Sequence, residues 1–435
     1  MQSTMNKGIN RIAAAVGALA IGLSCTGGAT TDYPLLPFPR QETPVRLDDL
    51  FRGVEITPLE TTEASLLSYP ELLKTCRDTL FVFDRSNSSL LLFAPDGKFI
   101  RRIGRIGRGP GEYLRARDFL IDPDGRTVSL LNPIGEIITY GFDGGFIRRE
   151  RLPEPPANYQ HLERLDAKSL VTWSSEHRDR EGGVRIWTRE GFALQNHFFP
   201  ASAAWSSLRN GSVFNRYRDT VYYHESLDNR VYAISSDGVR TAYAWDTEPP
   251  IEPERPALPE NEIPAAGARL LEEYTTGKIP FFFGRQLQSG RYYYAALLSG
   301  YPQPRQTTLF HDRKTGRSFR FHRTEEGLPV GLYALSDGCA LGLIPYEERE
   351  AFAKAGSRTP PADAGGRQSG PGQIPVLKRH NAKTHTCNDG REDKAGALDG
   401  RPPRNGERHR GERIHRTYGG GRRQGDRRAA LRQDA

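Results

Sequence analysis

A glycine-containing turn recurs at a constant spacing through the first half of the chain. The turn glycines Gly97, Gly144, Gly191 and Gly238 are separated by three steps of 47 residues each. The next comparable turn, at Gly316, comes 78 positions after Gly238, which is one period plus an insertion of about 31 residues. Periods of this length are typical of solenoids, propellers and other repeat arrays. The pattern therefore predicts a series of similar structural units with one insertion between the fourth and the fifth.

Each unit has the pattern of short strands joined by tight turns. The segment TLFVFDRSNSSLLLFAPDGKFIRRIG (79–104) contains three strand-like runs separated by two turns, and TVSLLNPIGEIITYGFDGGFIRRERL (127–152) repeats that order. A small sheet cannot bury both faces alone, and radial packing against neighbouring sheets covers them, so repeats of about 40–50 residues predict a β-propeller.

A last unit at 332–348 supplies further strands, and a strand near 54–59 is expected to close the ring by completing the final blade. We therefore predict an all-β fold, a six-bladed β-propeller, over residues 45–355. The insertion at 248–278 begins with clustered prolines and ends in the helix-like AAGARLLEEYTTGK.

The N-terminus has the features of an export signal. Lys7 and Arg11 precede the apolar run IAAAVGALAIGL (12–23), which is shorter than the ~20 residues that a membrane-spanning helix needs. The following GLSCTGG resembles the lipobox of bacterial lipoproteins, although Gly22 stands where that motif usually has Leu. The resemblance implies a lipoprotein signal peptide at 1–24, acylation of Cys25 and a tether at 25–44. The alternative is a secreted protein in which Cys25 is removed or has no role.

The propeller segments and this N-terminus together point to one family. LFVFDRSNSSLLLFAPDGKFIRRIG resembles an NHL-type blade, and with ITPLET and GRGPGEY the chain is similar to the six-bladed β-propeller lipoproteins of Bacteroidetes. The resemblance covers roughly residues 45–348. It implies a propeller anchored to a membrane through lipidated Cys25 in the cell envelope, at the periplasmic face of a membrane or at the outer membrane. It brings no catalytic residues with it.

The net charge of +8 comes from the C-terminal end of the chain. Residues 356–435 contain 18 Lys and Arg against 9 Asp and Glu, and a single aromatic residue, Tyr418. The rest is close to neutral, so we predict no nucleic-acid partner. We predict a disordered Arg/Gly/Pro-rich tail, which a reading-frame shift near Gly356 explains and which leaves the last blade one strand short. A disordered arm for anionic partners and an unrecognised element remain alternatives.

The glycine-rich stretch RIGRIGRGPGEYLRARDF (102–119) invites comparison with a phosphate-binding loop. It lacks the helix and the Gly-Lys-Ser/Thr that a nucleotide site needs, and its position predicts a crossing between two blades. The alternative is that it binds a ligand, because crossings form one face of a propeller. The candidate ligand-binding residues are Arg105, Arg108, Glu112 and Tyr113.

Signatures of catalysis and of metal binding are sparse. There is no GxSxG, HExxH or paired CxxC motif, and Cys76, Cys339 and Cys387 are scattered. We expect free thiols, with a bridge between Cys76 and Cys339 as the alternative. Four residues have the oxygen chemistry of a calcium site at a propeller axis, although such residues commonly bond their own turns. They are Asp84, Asn132, Asp228 and Asn229.

We therefore assign no catalytic residue, metal or cofactor. The predicted function is a monomeric, non-catalytic scaffold that binds a protein, peptide or glycan at the envelope. The alternative is a metal-dependent hydrolase or lyase with its site at the axis. The aromatic runs at 281–283 and 292–294 are predicted to pack in the core, with a stacking platform for sugar rings or a partner protein as the alternative.

Overall fold

Small antiparallel sheets follow one another along the chain. A computed structural model describes residues 32–153, 158–175, 182–199, 211–248, 262–301, 303–344 and 346–355, together with one later strand, Pro375–Lys378. The predicted signal peptide, Cys25, Cys387 and the rest of the tail lie outside the described residues. No helix in the described ranges is long and apolar enough to cross a membrane.

Three short elements precede the first sheet: β1 (Leu35–Leu36), α1 (Leu47–Leu50) and β2 (Glu55–Pro58). Sheet I consists of β3 (Pro70–Cys76), β4 (Thr79–Asp84), β5 (Ser89–Phe93) and β6 (Phe99–Ile103). A crossing segment with β7 (Arg105–Ile106) and β8 (Glu112–Tyr113) connects it to the next sheet. Sheet II consists of β9 (Asp118–Asp122), β10 (Thr127–Leu131), β11 (Glu136–Gly141) and β12 (Phe146–Arg151).

The next three sheets have the same up-and-down order. Sheet III consists of β13 (Tyr159–Arg164), β14 (Ser169–Ser174), β15 (Gly183–Thr188) and β16 (Leu194–Phe198). Sheet IV consists of β17 (Phe214–Tyr217), β18 (Thr220–His224), β19 (Arg230–Ser235) and β20 (Gly238–Trp245), with β1 parallel to β20 at its edge. The helix α2 (Ile263–Thr275) follows. Sheet V consists of β21 (Phe282–Gln288), β22 (Tyr292–Ser299), β23 (Arg305–Asp312) and β24 (Ser318–Phe321).

A further sheet joins strands from both ends of the folded region, and we call it the composite sheet. Its strands are β25 (Leu332–Leu335), β26 (Ala340–Leu343), β27 (Pro375–Lys378) and β2. A short 3₁₀ turn (Tyr346–Glu348) and the helix α3 (Arg349–Ala355) lie between β26 and β27 in the sequence.

The strand β27 corrects one expectation about the tail. It pairs antiparallel with β2 on one side and with β26 on the other. The prediction that the final sheet lacks a strand is therefore wrong, because residues 375–378 supply it. The predicted closing strand near 54–59 is β2, and it is found in this sheet as expected.

The recurring glycines lie in equivalent turns. Gly97, Gly144 and Gly191 each occupy the turn between the third and fourth strands of a sheet, with φ of +84°, +83° and +73°. Glycine takes this left-handed conformation without the steric penalty that a Cβ introduces. The predicted 47-residue step is thus the repeat of one sheet, and Gly316 (φ +70°) occupies the same turn in sheet V.

The innermost strand is the first one in sheets I to V and β25 in the composite sheet. These strands contact one another as follows: β9 with β13, β13 with β17, β17 with β21, β21 with β25, and β25 with β3. Apolar clusters fill the space between neighbouring sheets. Between sheets I and II, for example, the rings of Phe81 and Phe119 stack with centroids 6.3 Å apart. This radial packing of sheets makes the fold an all-β propeller.

The composite sheet packs in the same way against both of its neighbours. Leu341 and Cys339 lie in one cluster with Val82 of sheet I, while Leu332 lies in another with Phe310 of sheet V. Cys76 and Cys339 are buried and are not joined by a disulfide, in agreement with the expectation of thiols. Both aromatic runs are largely buried in or beside sheet V, as the core-packing interpretation predicts.

Candidate anion-binding site beside the crossing segment

The crossing segment folds into a small closed loop. Its two short strands, β7 and β8, pair in parallel. The backbone N–H of Gly107 donates to the carbonyl of Tyr113 at 3.0 Å, and the N–H of Glu112 donates to the carbonyl of Gly109 at 3.0 Å. The glycine-rich stretch therefore bonds to itself, and it connects sheets I and II as the sequence predicts.

The Glu112 carboxylate is the main acceptor inside this loop. It accepts the Gly109 N–H at 2.7 Å and forms an ion pair with Arg105. The Gly109 hydrogen bond and the Arg105 guanidinium hold the pKa of Glu112 below its ordinary value. A Cβ on Gly107 would lie 2.0 Å from this carboxylate, so the carboxylate occupies the space that a side chain there would need.

The four predicted ligand-binding residues have different environments. Arg105 and Glu112 are paired with each other, and Tyr113 is buried at 3% exposure in the cluster between sheets I and II. Burial raises the pKa of the Tyr113 hydroxyl, which has no hydrogen-bond partner among the described residues. Arg108 is exposed. A role of these residues in ligand binding stays a prediction.

The oxygen-bearing residues considered for a metal site are used by their own turns. Asp84 accepts the N–H groups of Tyr69 and Asn87, each at 2.9 Å. Asn132 accepts the N–H of Glu136, and Asp228 accepts the Tyr232 hydroxyl at 2.6 Å. Asn229 donates to the Trp245 carbonyl at 2.9 Å. Among the residues the structure describes, no three His, Cys, Asp or Glu side chains are grouped to hold a metal ion.

A cluster of charges lies on the innermost strands, and we call it the axial cluster. Lys74 of β3 lies 3.7 Å from Asp118 of β9 and 3.4 Å from Glu163 of β13, and Arg216 of β17 lies 3.5 Å from Glu163. Burial disfavours the charged form of Lys74, but the two carboxylates outweigh it and raise its pKa. Two cations balance two carboxylates, so this cluster has no excess charge for a ligand.

A pocket of about 480 Å³ lies beside the crossing segment, and we call it the arginine pocket. Tyr69 contributes from the entry to β3, and Arg85 contributes from the turn between β4 and β5. Arg115 and Arg117 contribute from the chain that leads into β9. The lining is completed by two hydroxyls, those of Ser86 and Ser88.

The arginine pocket has more positive than negative charge. Arg85 forms an ion pair with Glu71 at 2.6 Å, whereas Arg115 and Arg117 form no ion pair within the described ranges. The Nε of Arg117 is buried without a hydrogen-bond partner there. Burial lowers the pKa of Arg117, and repulsion from Arg85 and Arg115 lowers it further, against the opposing effect of Glu71.

A bound anion would balance the excess positive charge of the arginine pocket. A carboxylate, sulfate or phosphate could accept hydrogen bonds from the planar guanidinium groups, which arginine presents in a geometry that suits such oxygens. The sequence analysis did not predict this pocket, although Arg115 and Arg117 lie within the glycine-rich stretch that it singled out. The available signal was their i, i+2 spacing, which would place both side chains on one side if the chain were extended there.

Comparisons with known proteins agree with the fold. An exported protein of Bacteroides fragilis NCTC 9343, by its description, is 16% identical, with a TM-score of 0.59 over 80% of this chain and 99% of that one. A member of the DUF4221 family from Bacteroides vulgatus ATCC 8482 is 9% identical, with a TM-score of 0.49 over 78% and 99%. The comparison with curated proteins found no match. The model of the family described as "Domain of unknown function (DUF4934)" matches residues 37–339, and the chain belongs to that family.

Proposed function

We propose that this chain is an exported, non-catalytic binding protein that recognises an anionic group on a protein, peptide or glycan through the arginine pocket. The observation that carries the proposal is the buried Nε of Arg117, which has no hydrogen-bond partner in the part of the chain that the structure describes. It lies near two further arginines, with Glu71 as an opposing carboxylate. A buried polar group without a partner is costly, and a ligand acceptor would remove that cost. Arg108, exposed on the same crossing segment, is proposed to extend the surface for the ligand.

Calorimetric titration with sodium sulfate, a tetra-aspartate peptide and a sulfated oligosaccharide tests the proposal. We expect binding of at least one probe, weakened about tenfold or more by Arg117→Gln because a charged hydrogen bond is lost. The matched control is Arg148→Gln, which removes the same charge from an exposed position on β12. Absence of binding by all three probes, or equal binding by the two variants, would contradict the proposal.

We further propose that the composite sheet is the sixth blade of a closed ring with NHL-like repeats. The apolar clusters on both of its sides and the contact between β25 and β3 support this arrangement. Because Thr57 pairs with Val376 across β2 and β27, cysteines at these two positions should form a disulfide under mild oxidation. Cysteines at positions 57 and 377 face opposite sides of the sheet and serve as the control. Equal cross-linking in both pairs would argue against this register.

Lipid anchoring is the third part of the proposal. The lipobox-like GLSCTGG and the charged, apolar N-terminus support acylation of Cys25 and location in the cell envelope, at the periplasmic face of a membrane or at the outer membrane. Cys25→Ser should then move the protein from the membrane fraction to the soluble fraction and abolish labelling by a palmitate analogue. Unchanged fractionation and labelling would show that Cys25 is not the anchor. We propose a monomer, which size-exclusion chromatography with light scattering tests.

A further inference from the structure

A second pocket, of about 570 Å³, lies between sheets IV and V, and we call it the tyrosine pocket. Its lining combines tyrosines and arginines with one amide side chain. The residues that define it are Tyr217, Tyr222, Tyr243, Tyr293, Arg218, Arg240, Arg313 and Gln288. Its volume falls in the range of about 300–1,000 Å³ that is typical of small-molecule sites.

The two pockets open on opposite faces of the propeller. The tyrosine pocket includes residues of the turns that join first and second strands, at Arg218 in sheet IV and Gly290 in sheet V. The arginine pocket lies at the turn between second and third strands of sheet I and at the crossing segment. In an up-and-down sheet these two kinds of turn are at opposite ends of the strands. The tyrosine pocket is therefore a separate site.

The tyrosine pocket contains hydrogen-bond donors that the fold itself does not use. Gln288 is only 3% exposed, and its side-chain Nε2 has no partner among the described residues. The rings of Tyr243 and Tyr293 lie beside each other with centroids 4.3 Å apart. Burial raises the pKa of both hydroxyls, so they remain protonated donors at neutral pH. A buried amide without a partner is a specific cost, which a ligand oxygen would remove.

The charge of the tyrosine pocket is also positive. Arg218 pairs with Asp337 at 3.2 Å, and Asp337 also accepts the Tyr217 hydroxyl at 2.8 Å. Arg240 and Arg313 form no ion pair within the described ranges. The Arg313 guanidinium is held in place, because it lies 4.8 Å from the centroid of the Tyr293 ring and donates to the Ser289 carbonyl. Two guanidinium groups of this pocket thus have no carboxylate partner in the described part of the chain.

We propose that the tyrosine pocket binds an acidic sugar, with the sugar carboxylate near Arg240 and Arg313 and the ring hydroxyls bonded to Gln288 and the tyrosine hydroxyls. A small anion such as phosphate would need only the arginine side chains of this pocket. The pocket also offers neutral hydrogen-bond donors and more volume than one small ion fills, and both features suit a sugar. The rings of Tyr217 and Tyr222 are partly exposed, and aromatic faces suit the apolar C–H face of a sugar ring. The proposal is independent of the arginine pocket, because the two sites share no residue.

Calorimetric titration of the full chain with trigalacturonate tests this proposal, with neutral galactotriose and inorganic phosphate as comparison probes. We expect trigalacturonate to bind at millimolar or lower concentration, and each comparison probe to bind about tenfold more weakly or not at all. Equal binding of galactotriose would overturn the role of the cations. Equal binding of phosphate would overturn the assignment of a sugar, and absence of trigalacturonate binding would overturn the proposal as a whole.

Two conservative variants locate the ligand. Arg240→Gln, at an exposed position, should weaken trigalacturonate binding about tenfold, and Tyr222→Phe should weaken it severalfold while it keeps the ring. Arg148→Gln, with the same charge change elsewhere, should leave the affinity unchanged. Unaltered binding by Arg240→Gln would overturn the proposal. Loss of trigalacturonate binding in Arg117→Gln would place the sugar in the arginine pocket and would also overturn the proposal. Unchanged thermal melts serve as the control that each variant is folded.

Discussion

The ammonium group of Lys74 lies 3.4 Å from the carboxylate of Glu163, and this ion pair joins the innermost strands of sheets I and III. The same ammonium donates to the Phe119 carbonyl at 2.7 Å and lies 3.7 Å from the Asp118 carboxylate, both on β9 of sheet II. One side chain therefore holds three sheets together. The carboxylates of Asp118 and Glu163 stabilise the Lys74 ammonium, so no ligand is needed to balance its charge.

Replacement of Lys74 should destabilise the protein strongly. In Lys74→Met the Asp118 carboxylate, only 1% exposed, loses its main counter-charge inside the fold. Breaking a buried ion pair on one side typically costs about 3–5 kcal/mol. Urea unfolding monitored by tryptophan fluorescence measures the change. Lys98→Met, at an exposed pair with Asp96, is the control and should unfold like the unmodified chain. Similar midpoints for both variants would contradict the structural role of Lys74.

Low pH should decrease the free energy of unfolding, because it protonates Asp118 of the axial cluster. Burial opposes the charged form of Asp118, but Lys74 and the nearby His161 outweigh it, so the pKa of Asp118 in the folded chain lies below its ordinary value. The stabilisation is therefore present above the unfolded pKa of about 4 and is lost as the pH falls through the lowered pKa. Unfolding free energies measured between neutral pH and pH 3 should decrease in this window. In Asp118→Asn the decrease should be smaller, and an identical pH profile would contradict the assignment.

Substitutions of Glu112 and Arg108 should have different effects on stability, because Glu112 holds the crossing segment together and Arg108 is exposed on it. Glu112→Ala removes the acceptor of the Gly109 N–H and the partner of Arg105, so we expect a lower melting temperature. Arg108→Ala changes an exposed side chain and should melt like the unmodified chain. Differential scanning calorimetry compares the two. If Arg108→Ala were the more destabilised variant, the assignment of Glu112 as the centre of the loop would be wrong.

Truncation should reveal whether β27 stabilises the protein. A chain that ends at residue 374 lacks β27 and exposes the facing edges of β2 and β26. Each lost backbone hydrogen bond contributes about 0.5–1.5 kcal/mol, so we expect a clear loss of stability together with a tendency to associate through the open edges. A chain that ends at residue 390 retains β27 and is the control. Equal stability of the two chains would show that β27 is dispensable, as expected for an unselected frame-shift product.

Much of the fold follows from the sequence alone, because the signals for it are local. A glycine in a turn indicates a residue that needs a positive φ. The equal spacing of Gly97, Gly144 and Gly191 therefore predicts that one sheet repeats every 47 residues. The continuous run of aromatic and aliphatic residues in Tyr292–Ser299 is typical of a buried strand, and Pro249 followed by further prolines indicates an insertion. The propeller class and the closing strand β2 were predicted in this way.

The sites were decided by the tertiary structure. Arg85 belongs to a turn of sheet I and Arg117 to the entry of sheet II, while Tyr217 and Tyr293 of the second pocket come from two other sheets. The glycine-rich sequence around Glu112 suggested a ligand-binding role for its carboxylate. In the folded loop this carboxylate accepts a hydrogen bond from the backbone N–H of Gly109. A repeat in the sequence determines where each strand turns, but the charges that share a pocket depend on how sheets distant in sequence pack together. Whether a guanidinium is neutralised or left for a ligand is therefore decided only when those sheets meet.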